Sequence, residues 1–232
     1  MTKVELLAAI ARDETIENID LSGLDLAGAD LSGARFENVS FRGANLAGAR
    51  IRRTGFKHCD LFGAVLNDVD LTKVLWIRMD LRGVILRRAT LERAVLSGAD
   101  FSEADLSGAD LSRAVMDNAK LENANLTGAK TFRTMLYRAS LKGADLTGAD
   151  LSRAIFFEAD LSGTRLKGTK LFKTFLRNSD LSGQDFRGAE FTMCQAGGAN
   201  MRGADLTGAD ITMTNFMNAD LTGANLEKVK GR

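Results

Sequence analysis

The sequence predicts an all-β repeat solenoid preceded by a short N-terminal helix, and three observations carry that prediction. Large apolar residues return at every fifth position, small residues hold a second fixed place in the same period, and departures from the pattern recur every twentieth residue. A period of five suits neither regular element. In an α-helix at about 100° per residue, five steps carry a side chain about 140° round the axis, so the series spirals over every face. In a strand the period is two, and alternate members would face solvent. All of them share one interior only if the chain turns a corner after each unit and winds round a common axis, which makes internal repetition the organising feature.

The register runs unbroken from Leu21 to Leu226. Of its 42 sites, 40 are Leu, Phe, Ile, Met or Trp, and the exceptions are Thr131 and Ala196. Two residues before each large site stands a small one. It is Ala at 25 of the 41 positions from 24 to 224, and mostly Thr, Val, Ser or Cys elsewhere, so the interior is narrow there. Asp or Asn often precedes the large residue, as at Asp100, Asp105 and Asp110, and Gly often follows it by two, as at Gly98, Gly108 and Gly128. Both types suit tight turns.

The units Ala104-Asp105-Leu106-Ser107-Gly108 and Ala204-Asp205-Leu206-Thr207-Gly208 resemble the A-(D/N)-L-x-G consensus of the pentapeptide-repeat proteins, and the resemblance covers about nine tenths of the chain. It implies a right-handed, four-sided parallel β-helix with four pentapeptides per coil, the large residue and the small one two before it both pointing inward. About ten coils over residues 19–228 then make a rod on the order of 50 Å long, at about 4.8 Å per coil. Residues 1–18 form an N-terminal cap that includes the helix, and residues 229–232 a C-terminal tail.

The four-sided coil is testable within the sequence. The slot just before the large site faces outward, and eight residues there are clearly apolar: Val65, Leu75, Ile85, Val95, Val115, Met135, Ile155 and Phe175. Six of them, Leu75, Val95, Val115, Met135, Ile155 and Phe175, are spaced by 20 and stack as one ladder if a coil has four units. Three units per coil would scatter them.

At the N-terminus, TKVELLAAIAR reads as an amphipathic helix with Thr2 as N-cap and Glu5 at the capping-box spacing. Val4, Leu7, Ala8 and Ile10 are expected to cover the first coil. The C-terminal run from Asn225 to Arg232 is too short and polar for a packing helix. It is expected to blunt the open end of the rod or to lie under a second copy.

With 232 residues, no proline, 23 glycines and a net charge of +1, the chain is long enough for one extended domain whose core is buried by stacking. No apolar run is long enough to span a membrane, and the N-terminus lacks the apolar stretch of a signal peptide. The default location is cytoplasmic, with signal-independent export, used by some family members, left open. Cys59 and Cys194 both take the small interior place almost seven coils apart, on the order of 30 Å at about 4.8 Å per coil, beyond the reach of a disulfide. Each is expected to be an apolar filler. His58 is the only histidine and points away from the Cys59 thiol, so no metal site is expected. The sequence contains no Ser/His/Asp arrangement, phosphate-binding Gly-rich loop or HExxH. The aspartates recur in a turn position of the repeat, which makes them structural rather than paired acid–base groups. No enzymatic activity and no cofactor are expected.

The functional signal lies in the departures. Arg53, Lys73, Arg93, Arg113, Arg133, Arg153 and Lys173 follow one another at intervals of 20, although Lys and Arg fill only 31 of 232 positions. Each stands two residues before a slot of the series that holds the apolar ladder, so the two columns are expected side by side along one corner. Stacking like charges about 5 Å apart costs roughly 0.8 kcal/mol per adjacent pair even in bulk water. Asp70, Glu92, Asp110 and Asp150, or an anionic partner, are expected to offset it. Ile77, Tyr137 and Phe157 project from the same side, while Phe132 and Phe172 precede the basic corner. Thr131 is expected to distort its coil locally. Near Ala196, in Met193-Cys194-Gln195-Ala196-Gly197-Gly198, a side-chain rearrangement or a bound water is expected rather than a ligand pocket.

An exposed apolar strip with aromatic and Arg residues is the composition of an interface. The expected function is a non-enzymatic scaffold or binding protein presenting a rigid face to a protein partner or to a second copy of itself. A rival comes from a branch of the resembling family that mimics duplex DNA and protects DNA gyrase or topoisomerase from inhibitors. Mimicry needs a predominantly negative surface, whereas this chain has a net charge of +1 and a basic ladder, and neither loop insertions nor a C-terminal dimerisation helix is evident. Direct nucleic-acid binding is a third class, since Lys and Arg columns attract phosphates. Few aromatics and near-zero net charge argue against it.

Overall fold

A computed structural model describes residues 1–231, and its geometry follows from one turn repeated in every unit. In the unit around Leu106, the Ala109 amide donates to Leu106 O at 3.0 Å across Ser107 and Gly108, and Gly108 has φ +66°. A turn with a positive φ at its third residue is a type II turn, which explains glycine at that place. The Asp105 carboxylate accepts the Ser107 amide at 3.0 Å, an Asx turn that braces the same corner. The same bond joins Asp20 to Ser22, Asp150 to Ser152 and Asp210 to Thr212, so the repeated aspartates are turn formers.

Between corners the backbone bonds to the next coil. The Leu106 amide donates to Asn125 O at 2.7 Å, the Gly108 amide to Thr127 O at 2.9 Å, and the Asn125 amide back to Ala104 O at 2.9 Å. Residues pair in parallel with those 20 ahead, as in Asp105↔Asn125 and Asp110↔Lys130. Four pentapeptides therefore make one coil. The four faces can be named for their first bridge residue: the 15, 20, 25 and 30 faces. On the 15 face three strands are long enough to stand as such, β1 (Thr15–Glu17), β2 (Arg35–Glu37) and β3 (Gly55–Lys57), in the order β1-β2-β3.

Large and small inward residues form one continuous core from Leu6 to Ala209. Polar residues in the small place bond down the stack. The Thr134 and Thr174 hydroxyls donate to Leu111 O and Leu151 O at 2.7 and 2.9 Å, and Gln184 Nε2 donates to Leu161 O at 2.6 Å. Thr131 likewise donates to Asp150 O at 3.0 Å, and the flanking bridges Lys130↔Asp150 and Met135↔Ile155 persist, so the coil keeps its register there. Ala196 is fully buried, and the nearby Phe191 and Phe216 rings stack 6.0 Å apart.

Helix α1 (Lys3–Ala11) begins with the expected capping box between Thr2 and Glu5. Its buried stripe differs from expectation: Leu6 and Ala9 are buried, Leu7 and Ile10 half-buried, and Val4 (77% exposed) and Ala8 face solvent. The i, i+3, i+4 spacing of Leu6, Ala9 and Ile10 puts them on one stripe, and Lys3 Nζ fixes the rotation by donating to Ala27 O at 3.0 Å. Pairing also extends beyond residues 19–228: Thr15 pairs with Arg35, and Lys230 bridges Asp210. Of the expected tail 229–232, Arg232 lies outside the described residues.

Replacing Ala109, fully buried in the narrow place, by Leu should destabilise the fold by about 1–3 kcal/mol through overpacking, and Leu106→Ala by about 2–5 kcal/mol through a cavity, both read by denaturant unfolding. A second expectation concerns acid. The Thr207 hydroxyl and amide hold the Asp205 carboxyl below its ordinary 3.8, and the Arg187 guanidinium and amide lower Asp185 to about 2. Depressed carboxyl pKa values contribute stability that is present above the unfolded value and lost as pH falls through the folded one. Circular dichroism should therefore show stability declining as pH drops from 3.8 towards about 2, with little change in the neutral range.

Candidate partner-binding face

The six apolar residues of the ladder lie in unbroken register on the 15 face, through the bridges Leu75↔Val95, Val95↔Val115, Val115↔Met135, Met135↔Ile155 and Ile155↔Phe175. Leu75, Met135 and Phe175 are exposed, at 70%, 38% and 43%, while Val95, Val115 and Ile155 are half-buried between their neighbours. The column ends in polar residues, since Phe175 is followed by Gln195 and Asn215. Beyond the next corner Ile77 is exposed, and the Tyr137 and Phe157 rings stack with centroids 5.5 Å apart. Arg138 lies over the Tyr137 ring at 4.6 Å, and Glu158 ties the pair together by accepting from Arg138 Nε at 2.7 Å and from the Tyr137 hydroxyl at 3.3 Å.

The basic column occupies the corner on the other side of the ladder. Arg53, Lys73, Arg93, Arg113, Arg133, Arg153 and Lys173 all sit at the left-handed turn position, with φ between 56° and 61°, where Gly33 stands in the same column. An L-residue there costs roughly 1–2 kcal/mol that glycine avoids. Conformation thus opposes these residues, and their side chains must account for their presence. Phe132 and Phe172 lie beside them: Arg133 and Arg153 approach the Phe132 ring at 5.3 and 5.7 Å, and Lys173 the Phe172 ring at 5.1 Å.

Of the four carboxylates expected to neutralise this column, only Glu92 does so, at 3.5 Å from Arg93 and 3.7 Å from Arg113. Asp70 and Asp150 are engaged by the Thr72 and Ser152 amides, and Asp110 by the Ser112 amide with Lys130 at 4.0 Å. These aspartates serve their own corners, which is why they fail to reach the basic side chains. Among the described residues, Arg53, Lys73, Arg133, Arg153 and Lys173 make no ion pair. Elsewhere the rod pairs opposite charges 20 apart: Asp30 with Arg50 at 2.6 Å, Asp68 with Arg88 at 2.7 Å and Asp145 with Arg165 at 2.9 Å.

One exposed aromatic escaped the sequence reading. Phe62, 38% exposed, lies under Arg42 at 4.5 Å; it holds the same place in its unit as Phe132 and Phe172, and that shared slot is the signal that could have found it. Among the described residues no group of three or more His, Cys, Asp or Glu is placed to hold a metal ion, and no helix is long and apolar enough to cross a membrane. Cys59 is half-buried and Cys194 buried, both as free thiols; burial pushes the Cys194 thiol up to about 12, consistent with an inert filler.

Comparison with known proteins bears on the fold. The family model for pentapeptide repeats matches in eight copies, over residues 19–57, 59–98, 94–130, 136–171, 171–203 and 199–230. Among solved structures, the chain is similar to HetL, a pentapeptide repeat protein involved in heterocyst differentiation regulation from the cyanobacterium Nostoc sp. strain PCC 7120. The two are 28% identical, with 99% of this chain and 94% of HetL covered and a TM-score of 0.28. It is also similar to full-length QnrB1, a plasmid-mediated fluoroquinolone resistance protein, at 16% identity with 93% of each chain covered and a TM-score of 0.31. A third similar structure is a pentapeptide repeat protein from the Arabidopsis thaliana thylakoid lumen, 28% identical, covering 59% of this chain and 67% of that one with a TM-score of 0.25. No curated protein matches the chain. With eight copies of the repeat between residues 19 and 230, and a hydrogen-bonded coil of four such units, this chain belongs to the pentapeptide-repeat family, whose members fold as right-handed quadrilateral β-helices.

Proposed function

We propose that this protein is a non-enzymatic binding module whose 15 face docks a protein partner or a second copy of the chain. The observation that carries the reading is the pairing of two columns. A contiguous apolar strip from Leu75 to Phe175 runs beside seven cations, of which five have no ion pair among the described residues, while opposite charges on other faces are matched at the same spacing of 20. Apolar residues supply the buried area. The cations select an acidic rim and speed encounter. From Leu75 to Phe175 the face is held by backbone bonds from coil to coil, so it is pre-ordered and loses little entropy on docking. Arg and aromatic anchors such as Arg133, Tyr137, Phe157 and Phe175 are the types that concentrate binding energy.

The rival reading, protection of a topoisomerase by DNA mimicry, needs a negative face, and the uncompensated cations oppose it. A gyrase supercoiling assay with a quinolone should show no protection. Nucleic acid is disfavoured by the same apolar strip, which offers phosphates nothing.

In a pulldown and sedimentation experiment, the triple variant Val115→Asp, Met135→Asp and Ile155→Asp should remain folded and lose partner capture and self-association. If both survive in the folded variant, the proposed face is wrong. Replacing Arg113 and Arg133 by Gly should leave thermal stability unchanged or raise it by about 1 kcal/mol per site, because a strained φ is relieved. The same variant should bind its partner more weakly and with a shallower dependence on salt.

A further inference from the structure

At one step the stack of coils is open on three faces together, whereas the other bridge missing among the described residues, Arg165 to Asp185, interrupts a single face. Between residues 51–61 and 70–80, three faces lack the bridges that every neighbouring step has: Arg50 does not pair with Asp70, Gly55 with Leu75, or Asp60 with Asp80. On the 25 face the coils stay joined through the Val65 amide to Ala44 O at 2.9 Å and the Leu46 amide to Val65 O at 2.7 Å. The gap is a wedge hinged on that face, enclosing a cavity of about 1020 Å³.

The interior supplies the reason. Trp76, 4% exposed, takes the large place directly beyond Phe56, and the two rings meet edge-on with centroids 6.0 Å apart, whereas Phe36 and Phe56 stack nearly parallel at 5.5 Å across the bonded step before it. Val74 and Met79 fill small places that alanine holds in most units. Rings set edge to face prop the two coils apart and leave the cavity beside them.

The separation leaves two facing backbone edges unpaired among the described residues. The upper edge is the free side of β3, with the Phe56 and His58 amides. The lower edge carries the Leu75 and Ile77 carbonyls and the Leu75 amide. One coil further on, the equivalent Trp76 and Arg78 amides are bonded to Val95 O and Ser97 O, both at 2.9 Å. Parallel edges with unmet donors and acceptors are templates for an added strand. A single extended segment would restore both ladders at once, its alternate side chains pointing to the apolar floor at Phe56 and Trp76 and to the rim. That rim is cationic: Arg53, Lys73 and Arg78 have no ion pair among the described residues, whereas Asp80 is held by Arg82 at 2.7 Å and Asp70 by the Thr72 amide at 3.0 Å.

We propose that the open step between β3 and Leu75 is a strand-capture site for one extended peptide with apolar and acidic residues in alternation. The proposal rests on backbone pairing and holds whether or not the apolar ladder docks a partner.

Amide hydrogen exchange on the full chain tests it, with the blocked hexapeptide Val-Glu-Val-Glu-Val-Glu as probe. In the free protein the Phe56 and His58 amides should exchange much faster than those of Trp76 and Arg78, and excess probe should slow them by about tenfold or more. The Val-Lys hexapeptide should protect them less. Trp76→Leu with Met79→Ala should let the coils close, protecting the same amides without probe and abolishing capture. The triple ladder variant should capture the probe normally. The proposal is overturned by Phe56 and His58 amides already as protected as those of Trp76 and Arg78, by exchange that saturating probe leaves unchanged, or by capture that vanishes with the ladder variant.

Discussion

Everything in this rod depends on the backbone hydrogen bonds that join each residue to the coil 20 positions on. They fix the coil at four pentapeptides and the spacing of coils at about 4.8 Å, so each unit has room for one large and one small inward side chain. The turn must then be completed in two residues, which requires a left-handed backbone at the third place and rewards an aspartate that can accept the amide two ahead. Leu106, Gly108 and Asp105 are answers to that single demand.

The same constraint turns the surface into columns. A residue on one coil has its counterpart directly above and below, so a favourable choice is multiplied along the rod and so is an unfavourable one. Asp30 and Arg50 exploit this, as do Asp145 and Arg165. The column from Arg53 to Lys173 does the opposite, placing like charges in succession at a backbone position that disfavours them, beside apolar side chains that the core does not need. Two local disadvantages sustained along one corner are the grounds on which that corner is proposed as a docking surface.

At the step beyond β3 the constraint is relaxed beside a bulky aromatic contact. Trp76 meets Phe56 edge-on, and the step opens on three faces while the fourth holds. The threonines and Gln184 show the contrasting case: a polar group in the small place fits because its donor finds a carbonyl in the coil below. Among the described residues no buried side-chain polar atom lacks a partner.

The sequence by itself determined the solenoid and its four-sided coil. Periods of five and 20 record which side chains face inward and which stack, and both are written in the order of residues. It also placed the apolar ladder, because burial of one side chain per unit leaves the outward slots to be counted directly. Tertiary structure decided what depends on contacts between coils. The helix stripe could not be chosen in advance, since Val4, Leu6, Leu7, Ala8, Ala9 and Ile10 leave more than one apolar face, and docking on the first coils selected Leu6 and Ala9. Neutralisation of the basic column was overestimated because sequence shows which carboxylates are near and not that Asp70, Asp110 and Asp150 are already committed to their own turns. The open step was the least legible. Ile51, Phe56, Leu61 and Trp76 obey the period of five, and backbone bonding between coils leaves no trace in residue identity; only the three-dimensional fit of Trp76 over Phe56 decides whether that bonding closes.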